Sequence, residues 1–164
     1  MMPEQIIEID KDAVGAALGR VTSGVFITTA INKDHKVGML TSWVQQVGFE
    51  PPVISVAVHP DRDLHKVIDV TQKFTVNVLS KNNTPLMKKF SHFQEDQFEN
   101  LTLKESEYGI AFEDAIAHLQ CELRRKVDAG TDHELFIAEI VGGELLKAKD
   151  DEPFMHVRKS GFSY

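Results

Sequence analysis

The sequence is short of cysteines, of basic residues and of long apolar runs, and each shortage excludes a class of protein. Its 164 residues include one cysteine, Cys121, so an internal disulfide and a paired-cysteine metal or redox site are both excluded. There are 18 lysines and arginines against 25 aspartates and glutamates, and the net charge of −7 argues against nucleic acid or an anionic membrane as the main partner. No apolar run approaches the roughly 20 residues that are needed to cross a bilayer.

Signature motifs of several enzyme classes are missing as well. The sequence contains no GxGxxG, P-loop, GxSxG or HExxH motif, which argues against Rossmann-type dinucleotide binding, NTP hydrolysis, serine hydrolysis and zinc catalysis. The seven histidines show no metal-ligand spacing. We therefore predict no metal site and no catalytic side chain, and redox chemistry in this chain requires a bound cofactor.

Length and composition predict a single domain over residues 1–164. The chain is 42% hydrophobic and 26% charged, which is typical of a globular protein with a sizeable core. The first twelve residues are acidic and lack the basic region and apolar core of a signal peptide. Together with the single cysteine, this predicts a cytoplasmic protein.

Short β-branched runs between turn residues predict a mainly β protein. The runs that favour strands cover residues 25–31, 53–58, 74–79, 117–123 and 135–141. Short helices are expected after the cap residues Asp10 and Asp63 and at Thr84, with Phe93 on the buried side of the last one. Many strands with few, short helices predict a β-barrel with helical additions.

Three further features of the pattern concern the second half of the chain. Residues 94–113 lack a stable period and predict an irregular excursion over the surface. Gly142 and Gly143 are expected to end the last long strand. The tail, residues 153–164, is expected to add one more short strand.

Residues 38–58, GMLTSWVQQVGFEPPVISVAV, place polar side chains between two strand-like runs and predict a flexible segment there. Hydroxyls, amides and one ring are gathered at Thr41, Ser42, Trp43, Gln45 and Gln46. A few polar groups beside a planar ring and two rigid strands favour a ligand pocket. A bulged loop whose polar side chains satisfy its own backbone explains the same residues equally well.

Two other places carry candidate binding residues. His59, Arg62 and His65 surround a predicted helix N-terminus, where free N–H groups and a guanidinium favour a phosphate, although Asp61 and Asp63 oppose an anion unless they act as caps. Asp132 and His133 lie in a tight turn and could orient the amide or phosphate of a ligand. In both places, a purely structural role explains the residues as well.

Five segments, taken in order, resemble the flavin reductase-like family. They are ALGRVTSGVFITTA, GMLTSWVQQVGFEPPVISVAV, FTVNVL, TDHELFIAEI and PFMHVRKSGFSY, and they span nearly the whole chain. The resemblance implies a mainly β, FMN-binding split β-barrel with a few short peripheral helices, usually as a homodimer. The GMLTSWVQQ form is also similar to the flavin domain of some flavodiiron proteins.

The resemblance also implies roles for particular residues. The flavin ring and ribityl chain would lie against Thr41, Ser42, Trp43, Val44 and Gln46, and the phosphate beside His59, Arg62 and His65. Nicotinamide would bind at Asp132, His133 and His156, and His156 and Phe162 also resemble positions near the flavin or the dimer contact. The family's nicotinamide motif has two glycines where this chain has Thr131 and Ala138, which places direct use of NAD(P)H in doubt.

The implied activity is hydride transfer from NAD(P)H as co-substrate to bound FMN, with FAD as the alternative flavin. Stacking, orientation and hydrogen bonds suffice for this chemistry, which accounts for the missing catalytic triad. The replaced glycines favour a second interpretation, an electron-transfer flavoprotein with permanently bound FMN that is fed by a protein donor. A third is a non-enzymatic split-barrel binding protein that has lost its flavin.

Overall fold

In the part of the chain that the structure describes, strands make up most of the regular structure and three short α-helices accompany them. The computed structural model describes residues 7–146 and 151–164. In chain order, the elements are α1 (Lys11–Leu18), β1 (Phe26–Asn32), β2 (His35–Thr41), β3 (Val44–Gly48), β4 (Val53–Val58), α2 (Asp63–Thr71), β5 (Lys73–Val78), a 3₁₀ turn (Lys81–Asn83), α3 (Thr84–Phe90), β6 (Leu103–Ser106), β7 (Gly109–Phe112), β8 (Ala117–Asp128) and β9 (Glu134–Leu145).

The chain forms two compact units, of which the smaller combines Met1–Ser23 with Met155–Tyr164. Asp10 caps α1 as predicted, because its carboxylate accepts hydrogen bonds from the N–H groups of residues 12 and 13 at 3.1 Å. The C-terminal tail lies directly against α1: the Gly161 N–H donates to the Gly15 carbonyl at 2.7 Å. The predicted short strand in the tail is wrong, since the tail forms only isolated bridges.

The larger unit, Gly24–Phe154, is built on a seven-stranded antiparallel sheet in the order β2-β1-β5-β8-β9-β4-β3. Strands β2 and β3 lie at opposite edges of this order, yet only Ser42 and Trp43 separate them in the chain. Three Cα steps reach about 11 Å at most, so the sheet must curl until its two edges are neighbours. The edges are not paired with each other, and the result is a barrel that is not closed.

Two hydrophobic cores hold the larger unit together. The first fills the inside of the curled sheet beneath α2 and is formed by Val56, Val58, Ile68, Phe74, Val76 and Phe136, among others. The second lies on the other side of the sheet, under α3 and β7, and includes Ile27, Leu79, Phe90, Ile110 and Phe112. Along β4, buried and half-buried residues alternate, and Ile54, Val56 and Val58 are the buried ones. The predicted buried strand is therefore confirmed.

The prediction of irregular structure for residues 94–113 is confirmed for residues 94–102, which contain no helix or strand, and is wrong for residues 103–112, where β6 and β7 form a hairpin. Distant side chains hold this hairpin in place: the Thr29 hydroxyl donates to the Ile110 carbonyl at 2.7 Å and accepts from the Ile110 N–H at 2.8 Å. Gly109 adopts a φ of +132°, and a Cβ there would lie 2.7 Å from the Thr29 carbonyl oxygen. Because these contacts join residues that are far apart in the chain, they produce no periodic pattern of apolar residues in the local sequence.

Two smaller predictions also failed. Gly142 and Gly143 do not end the last long strand, because β9 continues past them to Leu145 and a Cβ on Gly142 would lie 2.5 Å from the Gln120 side chain. Phe93 is not on the buried side of α3: it follows the helix and is 76% exposed. No helix within residues 7–146 and 151–164 is long and apolar enough to cross a membrane.

Candidate functional site

The junction between β2 and β3 carries the first group of candidate residues. Thr41 ends β2 and is buried, with its hydroxyl 2.9 Å from that of Thr28. Ser42 and Trp43 then link the two edges of the sheet, and the Trp43 side chain is 38% exposed. A planar ring therefore lies at the surface where the barrel is not closed.

The polar segment after this junction forms an edge strand with one bulge, where a flexible segment was predicted. Val44 begins β3 and pairs with Val56 of β4, and the register slips at a bulge between Gln46 and Gly48. The Gln46 amide donates to the Gly48 carbonyl at 3.2 Å, so this side chain satisfies its own strand. What β3 offers a ligand is its outer edge of backbone groups.

The N-terminus of α2 presents hydrogen-bond donors. Arg62 is the N-cap residue, but its side chain makes no capping hydrogen bond. The first N–H of the helix that donates to a backbone carbonyl is that of Lys66, whose acceptor is the Arg62 carbonyl at 3.3 Å. The N–H groups of residues 63–65 therefore have no acceptor in the described part of the chain. The exposed Arg62 guanidinium also has no ion-pair partner within residues 7–146 and 151–164. This donor set suits an anion.

The neighbouring acidic and imidazole side chains take different roles. Asp63 engages Lys66 at 3.2 Å and does not cap the helix. His59 is half-buried, and its Nδ1 accepts the Asp61 N–H at 3.2 Å. His65 is only 7% exposed, and its Nε2 lies 2.5 Å from Glu134 Oε2. Of the three residues expected around a phosphate, Arg62 and His59 are thus accessible, whereas one ring nitrogen of His65 is committed to Glu134.

In the turn between β8 and β9, the imidazole of His133 contacts the rings of Trp43 and His59. The His133 ring centroid lies 4.8 Å from that of Trp43 and 5.5 Å from that of His59. Side chains from three different segments of the chain therefore converge on one surface, as a shared binding site requires. The ring of His133 is the point at which they meet.

A neighbouring carboxylate orients the His133 ring. Nδ1 of His133 donates to Asp132 Oδ1 at 3.0 Å, and this hydrogen bond lowers the pKa of the exposed Asp132 carboxyl. The carboxylate favours the tautomer with the proton on Nδ1, which leaves Nε2 of a neutral ring as a hydrogen-bond acceptor. Asp132 and His133 together can therefore accept a hydrogen bond from a ligand amide.

The two positions where glycines were expected have different surroundings. Thr131 lies in the turn, where its hydroxyl donates to the His133 carbonyl at 3.0 Å, while Gly130 takes the left-handed conformation with a φ of +72°. Ala138 is fully buried in the first core and pairs with Ile54. The turn therefore accommodates a side chain at Thr131, and Ala138 has no exposed surface for a ligand.

His156 belongs to the smaller unit. Its backbone pairs with Ser23 there, through an N–H that donates to the Ser23 carbonyl at 2.8 Å. The predicted contact of its side chain with nicotinamide stays a prediction.

Comparison with known protein families gives one match that spans most of the chain. The model of the flavin reductase like domain matches residues 18–163. The chain belongs to this family. The resemblance inferred from the five sequence segments is confirmed.

Curated relatives of this flavin reductase-like chain are much longer proteins. Diflavin flavoprotein A 1 from Synechocystis sp. strain PCC 6803 is 31% identical over 168 residues, which cover 98% of this chain and 28% of the relative. The provisionally named diflavin flavoprotein A 5 from Nostoc sp. strain PCC 7120 is 34% identical over 158 residues, with 92% and 27% covered. The chain spans about a quarter of the length of these relatives.

Solved structures of the family share the fold. An NADH:FAD oxidoreductase from Streptomyces globisporus C-1027, solved with NAD and FAD fragments, superposes with a TM-score of 0.78 at 23% identity, covering 87% of this chain and 85% of that one. The flavin reductase of styrene monooxygenase from Pseudomonas putida S12 gives 0.75 at 19% identity, with 87% and 91% covered. The mainly β architecture with short helices is thus that of the flavin reductase-like fold.

Two charged residues of this flavin reductase-like chain were missed in the sequence. Glu134 directly follows His133, and Lys126 lies in a basic triplet that was interpreted as a solvated strand face. In the structure, Glu134 contacts His65, and Lys126 Nζ lies 3.7 Å from the same carboxylate and 2.7 Å from Asp69 Oδ1. The position of Glu134 beside His133 was the one available signal.

Proposed function

We propose that this chain binds FMN and transfers hydride from NAD(P)H to the flavin as a flavin reductase-like oxidoreductase. The observation that carries the proposal is the convergence of Trp43, His59 and His133 on one surface, next to an uncapped helix N-terminus with Arg62. A relative of the same fold is an NADH:FAD oxidoreductase solved with NAD and FAD fragments, which supports a site for both nucleotides.

The donors at α2 suit the phosphate end of FMN. A phosphate dianion needs several hydrogen-bond donors and positive charge, and the N–H groups of residues 63–65 with the Arg62 guanidinium supply both. The same donors would suit the phosphates of FAD, so FMN is proposed on the resemblance of the sequence to FMN-binding split barrels, and FAD is the alternative.

The ring end of the flavin would lie at the junction of β2 and β3. The outer edge of β3, which pairs with no other strand in the described residues, can donate and accept hydrogen bonds along a planar heterocycle, beside the exposed Trp43 ring. When bound, a flavin accepts a hydride at its ring, so the protein needs no acid or base of its own. The role of these residues is to bind the ring and orient it.

His133 is proposed to hold the nicotinamide. Its Nε2, left as an acceptor by the hydrogen bond from Nδ1 to Asp132, can take the N–H of a carboxamide. The replaced glycines do not oppose this role, because Thr131 closes the turn through its hydroxyl and Ala138 is buried in the core. Direct use of NAD(P)H is therefore the better supported of the two electron sources.

A second candidate function is an electron-transfer flavoprotein with tightly bound FMN and a protein donor. The observation that favours it is an exposed apolar surface beside the proposed ring site: Val47 is 54% exposed and Phe49 is 90% exposed, at the end of edge strand β3. The much longer relatives are named diflavin flavoproteins, which also supports a function beside a second flavin.

The proposed assembly is a homodimer in the cytoplasm. The smaller unit leaves several apolar side chains exposed, which supports a partner chain over this surface. The most exposed are Ile7 at 79%, Val21 at 66%, Met155 at 66%, Phe162 at 55% and Tyr164 at 79%.

The proposal is tested by titrating purified protein with FMN, FAD and riboflavin, followed by steady-state oxidation of NADH and NADPH. We expect saturable quenching of FMN fluorescence and an FMN-dependent loss of nicotinamide absorbance. Binding of FMN without oxidation of either nucleotide would support the electron-transfer candidate instead. No binding of any flavin would leave only a non-enzymatic split-barrel protein.

A further inference from the structure

A hydrogen bond joins the first turn of α2 to the first residue of β9. His65 is the third residue of α2, and its side chain is turned inward so that only 7% of the residue is exposed. Nε2 lies 2.5 Å from Glu134 Oε2, and the ring centroid lies 4.9 Å from that of Phe136. Two residues that are 69 positions apart are thus held in direct contact.

The Glu134 carboxylate is also held from a second side. Lys126 Nζ lies 3.7 Å from the same oxygen and 2.7 Å from Asp69 Oδ1, one helical turn after His65. The backbone of Glu134 is fixed as well, because it pairs with Val58 of β4. One side chain therefore ties α2, β8 and β9 together at a single point.

Glu134 immediately follows the exposed turn in the chain, as the first residue of β9. The turn itself is held by local hydrogen bonds, from the Gly130 N–H to Asp128 at 2.7 Å and from Thr131 to the His133 carbonyl at 3.0 Å. Neither bond fixes the turn relative to α2. The contact between His65 and Glu134 links α2 to the residue that follows His133, and the pair Asp69 and Lys126 links α2 to β8 beside it.

We propose that His65 and Glu134 are positioning residues that hold His133 in the place where it receives the nicotinamide. The proposal rests on the function proposed above. His65 also contributes its backbone N–H to the donors at the start of α2, so one residue belongs to the anion site and, through its side chain, anchors the nicotinamide turn. The two ends of the site are linked through it.

The first test is Glu134→Gln, with Glu139→Gln as the matched control. Glu139 lies on the same strand and loses the same charge, but its partner is Arg124, away from the turn. For Glu134→Gln we expect the KM for the nicotinamide nucleotide to rise about tenfold, with kcat and FMN affinity changed by less than about twofold, because a displaced His133 weakens binding of this substrate alone. Equal changes in the two variants, or an unchanged KM in Glu134→Gln, would overturn the proposal.

A double-mutant cycle makes the test specific to His133. If Glu134 acts through that ring, Glu134→Gln should raise KM little further in a His133→Ala background. Additive effects of the two substitutions would contradict a positioning role. His65→Gln, which removes the imidazole from the other side of the same contact, takes the place of Glu134→Gln if that variant does not fold.

Amide hydrogen exchange gives a readout that does not depend on the proposed activity. Exchange in residues 129–134 should become faster in Glu134→Gln than in Glu139→Gln, measured in the protein without nucleotide. Wild-type protein that oxidises neither NADH nor NADPH contradicts the proposed function, whereas unchanged exchange in this turn contradicts the positioning role. The two failures are thus distinguishable.

Discussion

Replacing Arg62 by alanine should weaken the binding of FMN and leave the binding of riboflavin nearly unchanged. The two ligands differ only in the phosphate, and Arg62 is an exposed guanidinium at the N-terminus of α2 with no ion-pair partner in residues 7–146 and 151–164. A hydrogen bond to a charged group contributes about 1.5 to 3 kcal/mol, and solvent exposure places this one at the lower end, so we expect a loss of about tenfold in FMN affinity.

The assay is fluorescence quenching of each flavin by wild type, by Arg62→Ala and by Lys88→Ala. Lys88 is an exposed cation on α3 and serves as the control for the general effect of losing one positive charge. The Arg62 variant should also show a shallower dependence of FMN affinity on salt, because one charge contact is missing. Equal weakening of FMN and riboflavin, or an equal loss in the Lys88 variant, would refute a phosphate contact.

Three further predictions concern the scaffold. Thr29→Val should destabilise the protein by about 1 to 3 kcal/mol in urea unfolding, because it leaves the buried Ile110 N–H without its acceptor, while the Ile110 carbonyl keeps the Asn77 amide as a donor; an unchanged midpoint would contradict this account of the hairpin. Burial raises the pKa of Cys121 to about 12, so native protein should resist a thiol reagent at pH 8 and react after unfolding, whereas rapid labelling of folded protein would refute it. Burial lowers the pKa of His118, so the unfolded state takes up the proton first as pH falls; stability should decrease below about pH 6.5 and His118→Phe should remove that part of the decrease.

Those parts of the fold that depend on local periodicity were predictable from the sequence. The short β-branched run of residues 53–58 correctly predicted strand β4, and Asp10 correctly marked the start of α1. The hairpin β6–β7 was not predictable, because its backbone groups are satisfied by Thr29 and by Asn77, which lie far away in the chain. A short strand whose partners are side chains of another sheet has no period of its own.

In the candidate site, too, the local features were predictable from the sequence and the long-range contacts were not. Donors and rings could be identified as residue types, since Arg62, Trp43 and His133 carry chemistry that local turns do not need. Their convergence could not be derived from spacing, because it depends on the curl of the sheet that brings its edges together at residues 42 and 43. The bond between His65 and Glu134 depends on the same curl, and His65 was therefore interpreted as a phosphate ligand alone.

The central claim is that one surface of this chain brings a flavin and a nicotinamide together. The measurement that tests it most directly is anaerobic mixing of FMN-loaded protein with NADH or NADPH in a stopped-flow spectrophotometer, with the visible flavin absorbance followed over time. The account predicts rapid bleaching with at least one of the two nucleotides and slower bleaching in His133→Ala. Protein that keeps its bound FMN oxidised in the presence of both nucleotides would contradict it.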